Sequence, residues 1–259
     1  MRYRAERTLA VAVGRCYLAQ MQRALHKSLE SLPTLSLIRA IIRGDASEAS
    51  KLVRESPLLV RQCLSAGATR QEAVDFFFKE IQHYMYAGDT PLHAAAAAYR
   101  KDIARVLLQN GAEVDARNRK GAEPLHYAAD GGLGSPSWNP QAQAATIVLL
   151  IEAGANPNAL DKSGVAPLHR AVRQRCPSAV DALLHNGAEV RLKNKSGSTP
   201  LHLAVQTTGR GGTGAPESKA CQREIIQILL KSGASSQDRD ARGRTVRQSA
   251  QGDWIRALL

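Results

Sequence analysis

Apolar residues recur along the last two thirds of the chain in pairs of short segments. The second segment of each pair carries them at helical spacing, as in DIARVLLQN from Asp102, where Ile103 and Leu107 share one face. The first segment is shorter and rich in alanine, as in PLHAAAAA from Pro91. A glycine follows each pair, and glycine readily adopts the left-handed conformation that ends a helix. The pattern predicts successive helix-turn-helix units with C-terminal caps at Gly111, Gly154, Gly187 and Gly233.

The first segments share a motif that returns at a nearly constant interval. TPLHAA begins at Thr90, EPLHYA at Glu123, APLHRA at Ala166 and TPLHLA at Thr199, and an eroded copy, TVRQSA, begins at Thr245. The steps between them are 33, 43, 33 and 46 residues. Threonine caps helices and proline suits their first turn, so each motif is expected to open a helix. One such unit cannot bury its own apolar face, and the units must therefore stack.

A 33-residue period carrying T-P-L-H-x-A resembles the ankyrin repeat, and the resemblance covers residues 89–259. It implies an all-α solenoid of stacked helix-turn-helix units with projecting β-hairpin or turn fingers. Four clear repeats are followed by a divergent C-terminal capping repeat, which lacks both the proline and the histidine of the motif. The resemblance also implies a structural role for the motif histidines, which in the family join hydrogen bonds that connect the fingers. These histidines are His93, His126, His169 and His202.

The chain upstream of the clear repeats has two further parts. Residues 35–88 contain LIRAIIRGDASEASKLVRESPLL, whose helix-turn-helix rhythm predicts an N-terminal helical cap with a degenerate repeat. The stretch from Gln71 to Gly88 is predicted to be a helix, with Phe77, Ile81 and Tyr84 sealing the end of the solenoid. Residues 1–34 form a basic segment that we expect to be partly helical or disordered. Its short apolar run lacks a clean cleavage site, which disfavours a secretory signal.

The two long steps are explained by a pair of related inserts. They lie between the two helices of repeats two and four and share a core, GLGSP from Gly132 and GTGAP from Gly212. In the second insert, Gly209, Gly211 and Gly214 match the G-x-G-x-x-G spacing of dinucleotide-binding loops. That motif needs a preceding strand, whereas a predicted helix precedes it here. We interpret it as a solvent-facing turn without a nucleotide or other cofactor, and a joint role of the two inserts stays open.

Composition and spacing disfavour several function classes. The four cysteines are 45 or more residues apart and form no C-x-x-C pair, which indicates neither zinc nor disulfides and favours a reducing, cytoplasmic setting. No apolar run reaches the length of a membrane span. The motif histidines recur with the repeats, about 10 Å apart, which is too far to share a metal ion. Catalytic Ser/His/Asp, Cys/His or paired-carboxylate patterns are missing, so we predict a protein that is not an enzyme and binds no metal.

Charge is the feature that points to a partner, because the 259 residues carry a formal net charge of +12. The fingers are predicted at RNRKGA, LDKSGV, KNKSGS and RDARGR, and the positions left after the turn-forming Asn, Asp and Gly include no acidic residue. Nine of those positions are basic: Arg117, Arg119, Lys120, Lys162, Lys193, Lys195, Arg239, Arg242 and Arg244. Arg170 and Arg173, on the first helix of repeat three, are expected to extend the basic rim into the groove.

Three interpretations of this basic rim remain open from sequence. It could be a solvated edge that serves solubility. It could steer an acidic partner protein to the fingers and inner helices, which the family resemblance favours for a monomeric interaction scaffold. It could also bind the phosphates of a nucleic acid, although the fingers lack the aromatic residues on which single-stranded bases stack.

Overall fold

The computed structural model describes residues 33–69, 73–132, 138–206 and 215–259. Residues 1–32 of the predicted basic segment 1–34 and the glycines of the G-x-G-x-x-G match lie outside these ranges. The described chain is mostly helical, with α1 (Pro33–Arg43), α2 (Ala46–Glu55), α3 (Pro91–Ala97), α4 (Lys101–Gln109), α5 (Pro124–Ala128), α6 (Pro140–Glu152), α7 (Pro167–Arg173), α8 (Pro177–His185), α9 (Pro200–Ala204), α10 (Pro216–Lys231), α11 (Val246–Ser249) and α12 (Asp253–Arg256).

The helices form two stacked layers, as an all-α solenoid requires. The inner layer runs α1, α3, α5, α7, α9 and α11, each helix packing on the next, and the outer layer runs α2, α4, α6, α8 and α10. Small side chains allow this close stacking, since α3 buries four consecutive alanines, Ala94–Ala97. Larger apolar residues such as Leu107, Leu150 and Leu183 fill the space between the layers. The pair α1/α2 stacks in the same two layers as the repeats that follow it.

The prediction of a helix from Gln71 to Gly88 is wrong. The described part of this stretch contains a single 3₁₀ turn, Val74–Phe76, and a short antiparallel hairpin, β1 (Phe77–Phe78) and β2 (His83–Tyr84). The backbone after β2 bonds instead to the chain before it, with Ala68 N donating to Met85 O at 2.8 Å and Leu64 N to Asp89 O at 2.8 Å. Helical spacing misled because a short apolar run is compatible with either structure.

The hairpin buries different side chains from those that the predicted helix would bury. Ile81 is buried, but Phe77 is half-buried and Tyr84 is 40% exposed, so these three do not form one sealing face. Phe76 and Met85 enter the core instead. The hairpin places His83 and Tyr86 against the repeats rather than at the end of the stack.

Four equivalent turns build the fingers, as the Asn/Asp-to-Gly spacing predicts. In each, the side-chain oxygen of the Asn or Asp accepts two backbone N–H groups, as Asn118 Oδ1 does from Lys120 N at 2.8 Å and Ala122 N at 3.1 Å. The same pair of bonds recurs at Asp161, Asn194 and Asp240. Because these bonds are local, the finger conformation is encoded in its own six residues.

Finger glycines differ in how closely the next finger approaches them. Gly197 and Gly243 hold the same turn position with φ of 70° and 74°. A Cβ on Gly197 would lie 2.4 Å from the backbone nitrogen of Ala241, whereas one on Gly243 would meet nothing within 4 Å. Gly243→Ala should therefore lower the free energy of unfolding by about 1–2 kcal/mol, because alanine is strained in this backbone conformation. Gly197→Ala should lower it by at least about 1 kcal/mol more, because the finger that contains Ala241 must move to make room for the Cβ.

Urea unfolding of the two glycine variants beside the unmodified chain measures this difference directly. Equal losses in the free energy of unfolding would show that the contact between fingers does not constrain position 197.

The motif histidines connect each repeat to the finger that follows, which confirms the role that the resemblance implies. Each ring accepts, at Nδ1, the backbone N–H of the residue that directly precedes its helix, over 3.1 to 3.3 Å. Each Nε2 donates to the last carbonyl of the next finger, at Ala122, Val165, Ser198 or Arg244, over 3.0 to 3.4 Å. A carbonyl can only accept, so Nε2 carries a proton, and a backbone N–H can only donate, so Nδ1 carries none. All four rings are therefore neutral.

Candidate binding groove

A groove of about 810 Å³ lies between the fingers and the inner-layer helices. The hairpin forms one wall with His83 and Tyr86, the fingers contribute Lys120 and Ser163, and the turns at the far ends of the inner helices contribute Gln174 and Arg175. Its surface is polar as well as apolar, with charged side chains of both signs.

The middle of the groove holds an ion cluster centred on Arg170. The guanidinium of Arg170 lies 2.5 Å from Asp130 Oδ2 and 2.9 Å from Asp161 Oδ2, and its side chain is 13% exposed. His83 Nε2 lies 3.6 Å from the same oxygen of Asp130. Burial alone would raise the pKa of Asp130, but Arg170 and His83 outweigh burial and hold that pKa well below its ordinary value.

The cluster determines what Arg170 contributes to binding. Arg170 does lie in the groove, where the sequence places it. Its charge is matched by two carboxylates, so the middle of the groove gains no positive charge from it. Arg173, one turn further along α7, is exposed, and its side chain makes no hydrogen bond or ion pair with a described residue.

A second polar network underlies the groove near the hairpin. Asp89 is fully buried, and its carboxylate accepts hydrogen bonds from Asn118 Nδ2 at 2.8 Å and from Tyr127 Oη at 2.8 Å. Asn118 Nδ2 also lies 2.9 Å from Tyr127 Oη. Burial, together with the neighbouring Asp89 charge, raises the pKa of Tyr127 well above its ordinary value. This satisfied network joins the first finger to the inner helices and makes that wall rigid.

The nine finger cations are all exposed, but four of them also contact the preceding structure. Lys162 Nζ donates to Arg119 O at 2.8 Å, and Lys195 Nζ donates to Lys162 O at 2.5 Å. Arg119 bonds to Ala68 O, and Lys120 Nζ lies 3.7 Å from the centre of the Tyr86 ring. These side chains keep their charge at the surface while holding adjacent segments together.

The remaining finger cations fall into two groups. Arg117 pairs with Glu123 at 2.8 Å, Arg244 pairs with Asp240 at 2.9 Å, and Arg239 bonds to Gly243 O at 2.7 Å. The side chains of Lys193 and Arg242 make no hydrogen bond or ion pair with any residue of the described ranges. They are therefore the rim cations best placed to act on a partner.

Four groove residues were not among the site residues predicted from the sequence: His83, Tyr86, Asp130 and Arg175. The first two were assigned to a helix and so to the wrong surface. Asp130 carries no motif signal. Arg175 had one usable signal, since it stands six residues after a motif histidine where the chain must turn sharply, as Tyr99 does in repeat one.

The described ranges hold no group of three or more His, Cys, Asp or Glu side chains arranged to bind a metal ion. None of the helices within them combines the length and apolar character of a membrane span. The three cysteines in these ranges, Cys63, Cys176 and Cys221, are free thiols.

Comparison with known sequences identifies the repeat type. The family model described as "Ankyrin repeats (3 copies)" matches residues 37–135 and 140–240, which together make up more than half of the chain. The first match begins within α1, ahead of the first clear TPLH motif.

Individual relatives are similar over shorter stretches. Ankyrin repeat and SOCS box protein 16 of Mus musculus is 39% identical over 97 residues, covering 38% of this chain and 21% of that protein. B-cell lymphoma 3 protein homolog of Mus musculus is 39% identical over 103 residues, covering 38% and 20%. E3 ubiquitin-protein ligase KEG of Arabidopsis thaliana is 30% identical over 156 residues, covering 58% and 8%. The chain thus spans about a fifth or less of these relatives' lengths.

Proposed function

The chain belongs to the ankyrin-repeat family, whose repeats mediate protein–protein interaction, and from that premise we propose that it binds an acidic partner segment through its basic finger rim and groove. One observation carries the proposal. All nine basic finger side chains are exposed along one edge, and the corresponding free finger positions hold no acidic residue. Such a row attracts negative charge over a Debye length of about 8 Å at physiological salt.

The distribution of charge within the groove refines this proposal. The cluster around Arg170 is internally matched, so a partner's carboxylates should meet the rim rather than the middle of the groove. Lys193, Arg242 and Arg173 are the proposed contacts with charge available. The other seven finger cations contribute to the potential while they hold neighbouring structure in place, whereas the charge of Arg170 is matched within its own cluster.

A nucleic-acid partner is the alternative that the test must distinguish. Tyr86 is an aromatic residue beside the rim, and Lys120 Nζ lies over its ring at 3.7 Å from the ring centre. The ring face is therefore covered, and a base cannot stack on it without displacing the lysine. Protein binding is the better supported interpretation.

The remaining features of the proposal follow from the same premise. We propose a protein that is not an enzyme and needs no cofactor, acts as a monomer and works in the cytoplasm, where thiols such as Cys63 stay reduced. The name of one relative denotes a ubiquitin ligase, but the match covers only 8% of that protein and gives no reason to transfer the activity.

Reversing the two unpaired rim cations tests the proposal. The double variant Lys193→Glu and Arg242→Glu should bind a glutamate-rich peptide with an association rate about tenfold lower than the unmodified chain. Stability should change by less than about 0.5 kcal/mol per substitution, because neither side chain has a described partner. Stopped-flow binding between about 50 and 300 mM salt measures the effect and its screening.

A matched control reverses two exposed cations of the outer layer, Arg54→Glu and Lys231→Glu, which gives the same net charge. Loss of binding in both double variants would indicate an effect of net charge and contradict a rim site. If the chain retains single-stranded DNA more strongly than the peptide, and the rim variant loses that retention, the nucleic-acid alternative is favoured.

A further inference from the structure

Arg175 has a backbone conformation that an arginine seldom adopts. It ends the turn after α7 with φ of 61°, in the left-handed region that favours glycine. Tyr99 has the same place in repeat one, with φ of 55°. The Tyr99 side chain has an evident use, since its hydroxyl donates to Asp130 O in the next repeat. A non-glycine residue persists in such a conformation where its side chain makes contacts that offset the strain.

The surroundings of Arg175 leave its charge unbalanced. Its guanidinium is buried, with the residue 9% exposed, and Nη1 donates to Ser218 O at 3.0 Å and to Gln222 Oε1 at 2.6 Å. Both acceptors are neutral. Arg170, the other groove arginine with a mostly buried side chain, has two carboxylates beside it. Burial lowers the pKa of Arg175, as expected for a cation without a counter-ion.

The insert residues outside the described ranges contain no carboxylate. Residues 133–137 read LGSPS and residues 207–214 read TTGRGGTG, so neither contains Asp or Glu. No carboxylate of the described ranges bonds to Arg175. A buried charge without a partner is costly, and in proteins such charges are paired or bind a ligand.

The guanidinium is held in position for a ligand. Gln222, which binds Nη1, is itself fixed because its Nε2 donates to Ala204 O at 2.7 Å. This leaves the Nε–H and Nη2 edge of Arg175 without an acceptor among the described residues. That edge presents two parallel donors, the arrangement that matches the two oxygens of a carboxylate. Arg175 lines the groove, and the exposed Arg173 lines the same end of it.

We propose that Arg175 is an anion-binding residue that receives one carboxylate side chain of the acidic partner segment at the end of the groove, with Arg173 as a second cation. The inference rests on the proposed function, since the partner carries the anion. A single carboxylate suits the buried part of the site because the Arg175 guanidinium balances one negative charge there, whereas a phosphate group carries nearly two and Arg173 is exposed to solvent. The partner segment then extends from the rim to the turn between α7 and α8.

The 259-residue chain can report on this site directly. We expect the Nε–Hε resonance of Arg175 in a nitrogen-15 spectrum to shift on titration with a glutamate-rich peptide and to saturate with it. Arg175→Gln should lower the affinity for that peptide by about tenfold or more, because a charged hydrogen bond is lost. Arg175→Lys should retain part of the affinity, since the charge remains and the fork is lost. Circular dichroism verifies that each variant folds.

The outcomes separate this inference from the proposed function. An unshifted Arg175 resonance at peptide saturation would overturn it, and so would equal peptide affinity in Arg175→Gln and the unmodified chain. Saturation by inorganic phosphate but not by the peptide would overturn the assignment to a carboxylate. If Lys193→Glu with Arg242→Glu loses binding and Arg175→Gln keeps it, the anion site is wrong and the rim proposal stands. If neither variant loses binding, both are wrong.

Discussion

Acidification from pH 7 to pH 4 is expected to lower the free energy of unfolding by several kcal/mol. Four buried histidines connect the repeats, and burial lowers the pKa of His93, His169 and His202 and lowers that of His126 to about 4. Protonation of Nδ1 would break the bond that each ring accepts from the start of its helix. The unfolded chain, by contrast, takes up these protons near the ordinary histidine pKa of about 6.5.

The direction and the pH window follow from this difference. Between about pH 6.5 and pH 4 the unfolded chain binds more protons than the folded chain, so stability falls as the pH falls. For His126 alone the shift amounts to about 3 kcal/mol at the lower end of the window. The lowered pKa values of Asp130 and Asp161 act at lower pH, below the ordinary aspartate value. Burial raises the pKa of Glu123, so this one carboxyl opposes the four histidines just above its ordinary value, where the folded chain holds its proton more tightly than the unfolded chain does.

Urea unfolding at pH 7, 6, 5 and 4 measures this dependence. The variant His126→Gln should flatten it, while His185→Gln should not, because the His185 side chain is 73% exposed on the outer layer. A midpoint that stays constant from pH 7 to pH 4 would contradict the assignment of neutral, connecting histidines.

Removal of the Arg170 charge is expected to be the most destabilising single change in the groove. Arg170→Met leaves Asp130 and Asp161 without their shared cation, and breaking a buried ion pair in this way costs about 3–5 kcal/mol. The loss should appear in urea unfolding at pH 7, where both carboxylates are ionised. It should also reduce acid sensitivity, because the Arg170 charge contributes to the lowered pKa of His126.

Two comparisons test whether the loss comes from the ion cluster. Arg173→Met also removes an arginine charge, but from an exposed position three residues after Arg170. It should change the free energy of unfolding by less than about 0.5 kcal/mol. Asp130→Asn in the Arg170→Met background should recover part of the loss, since one uncompensated charge disappears. Equal effects of the two methionine variants would show that Arg170 is not held as the geometry indicates.

Local chemistry made much of the fold predictable. The TPLH motif, the turn residues and the glycine stops each act within a few residues of their own position. The stop after α4 shows this, since Gly111 adopts φ of 87° and donates to Leu108 O at 3.0 Å. The inserts also lie where the period places them, between α5 and α6 and between α9 and α10. The domain boundaries at residues 34/35 and 88/89 stay predictions.

The candidate site was predictable only as a list of charges. The sequence placed the cations on the rim, but it could not show that Lys162 and Lys195 bond to the preceding finger or that Arg117 pairs with Glu123. It also assigned Arg170 and Arg173 the same role, although one is paired and the other is exposed. These differences arise from neighbours contributed by other segments.

By itself, therefore, the sequence determined the repeat, its helices, its finger turns and the excess of positive charge, because each depends on residues close together along the chain. The tertiary structure decided which charges are available, because Arg170 meets Asp130 across 40 residues and Arg175 meets Gln222 across 47. It also decided that residues 77–84 form a hairpin against the groove, since their backbone partners come from segments that no local pattern connects. Burial and pairing set the free energy of a charge, and both depend on distant parts of the chain.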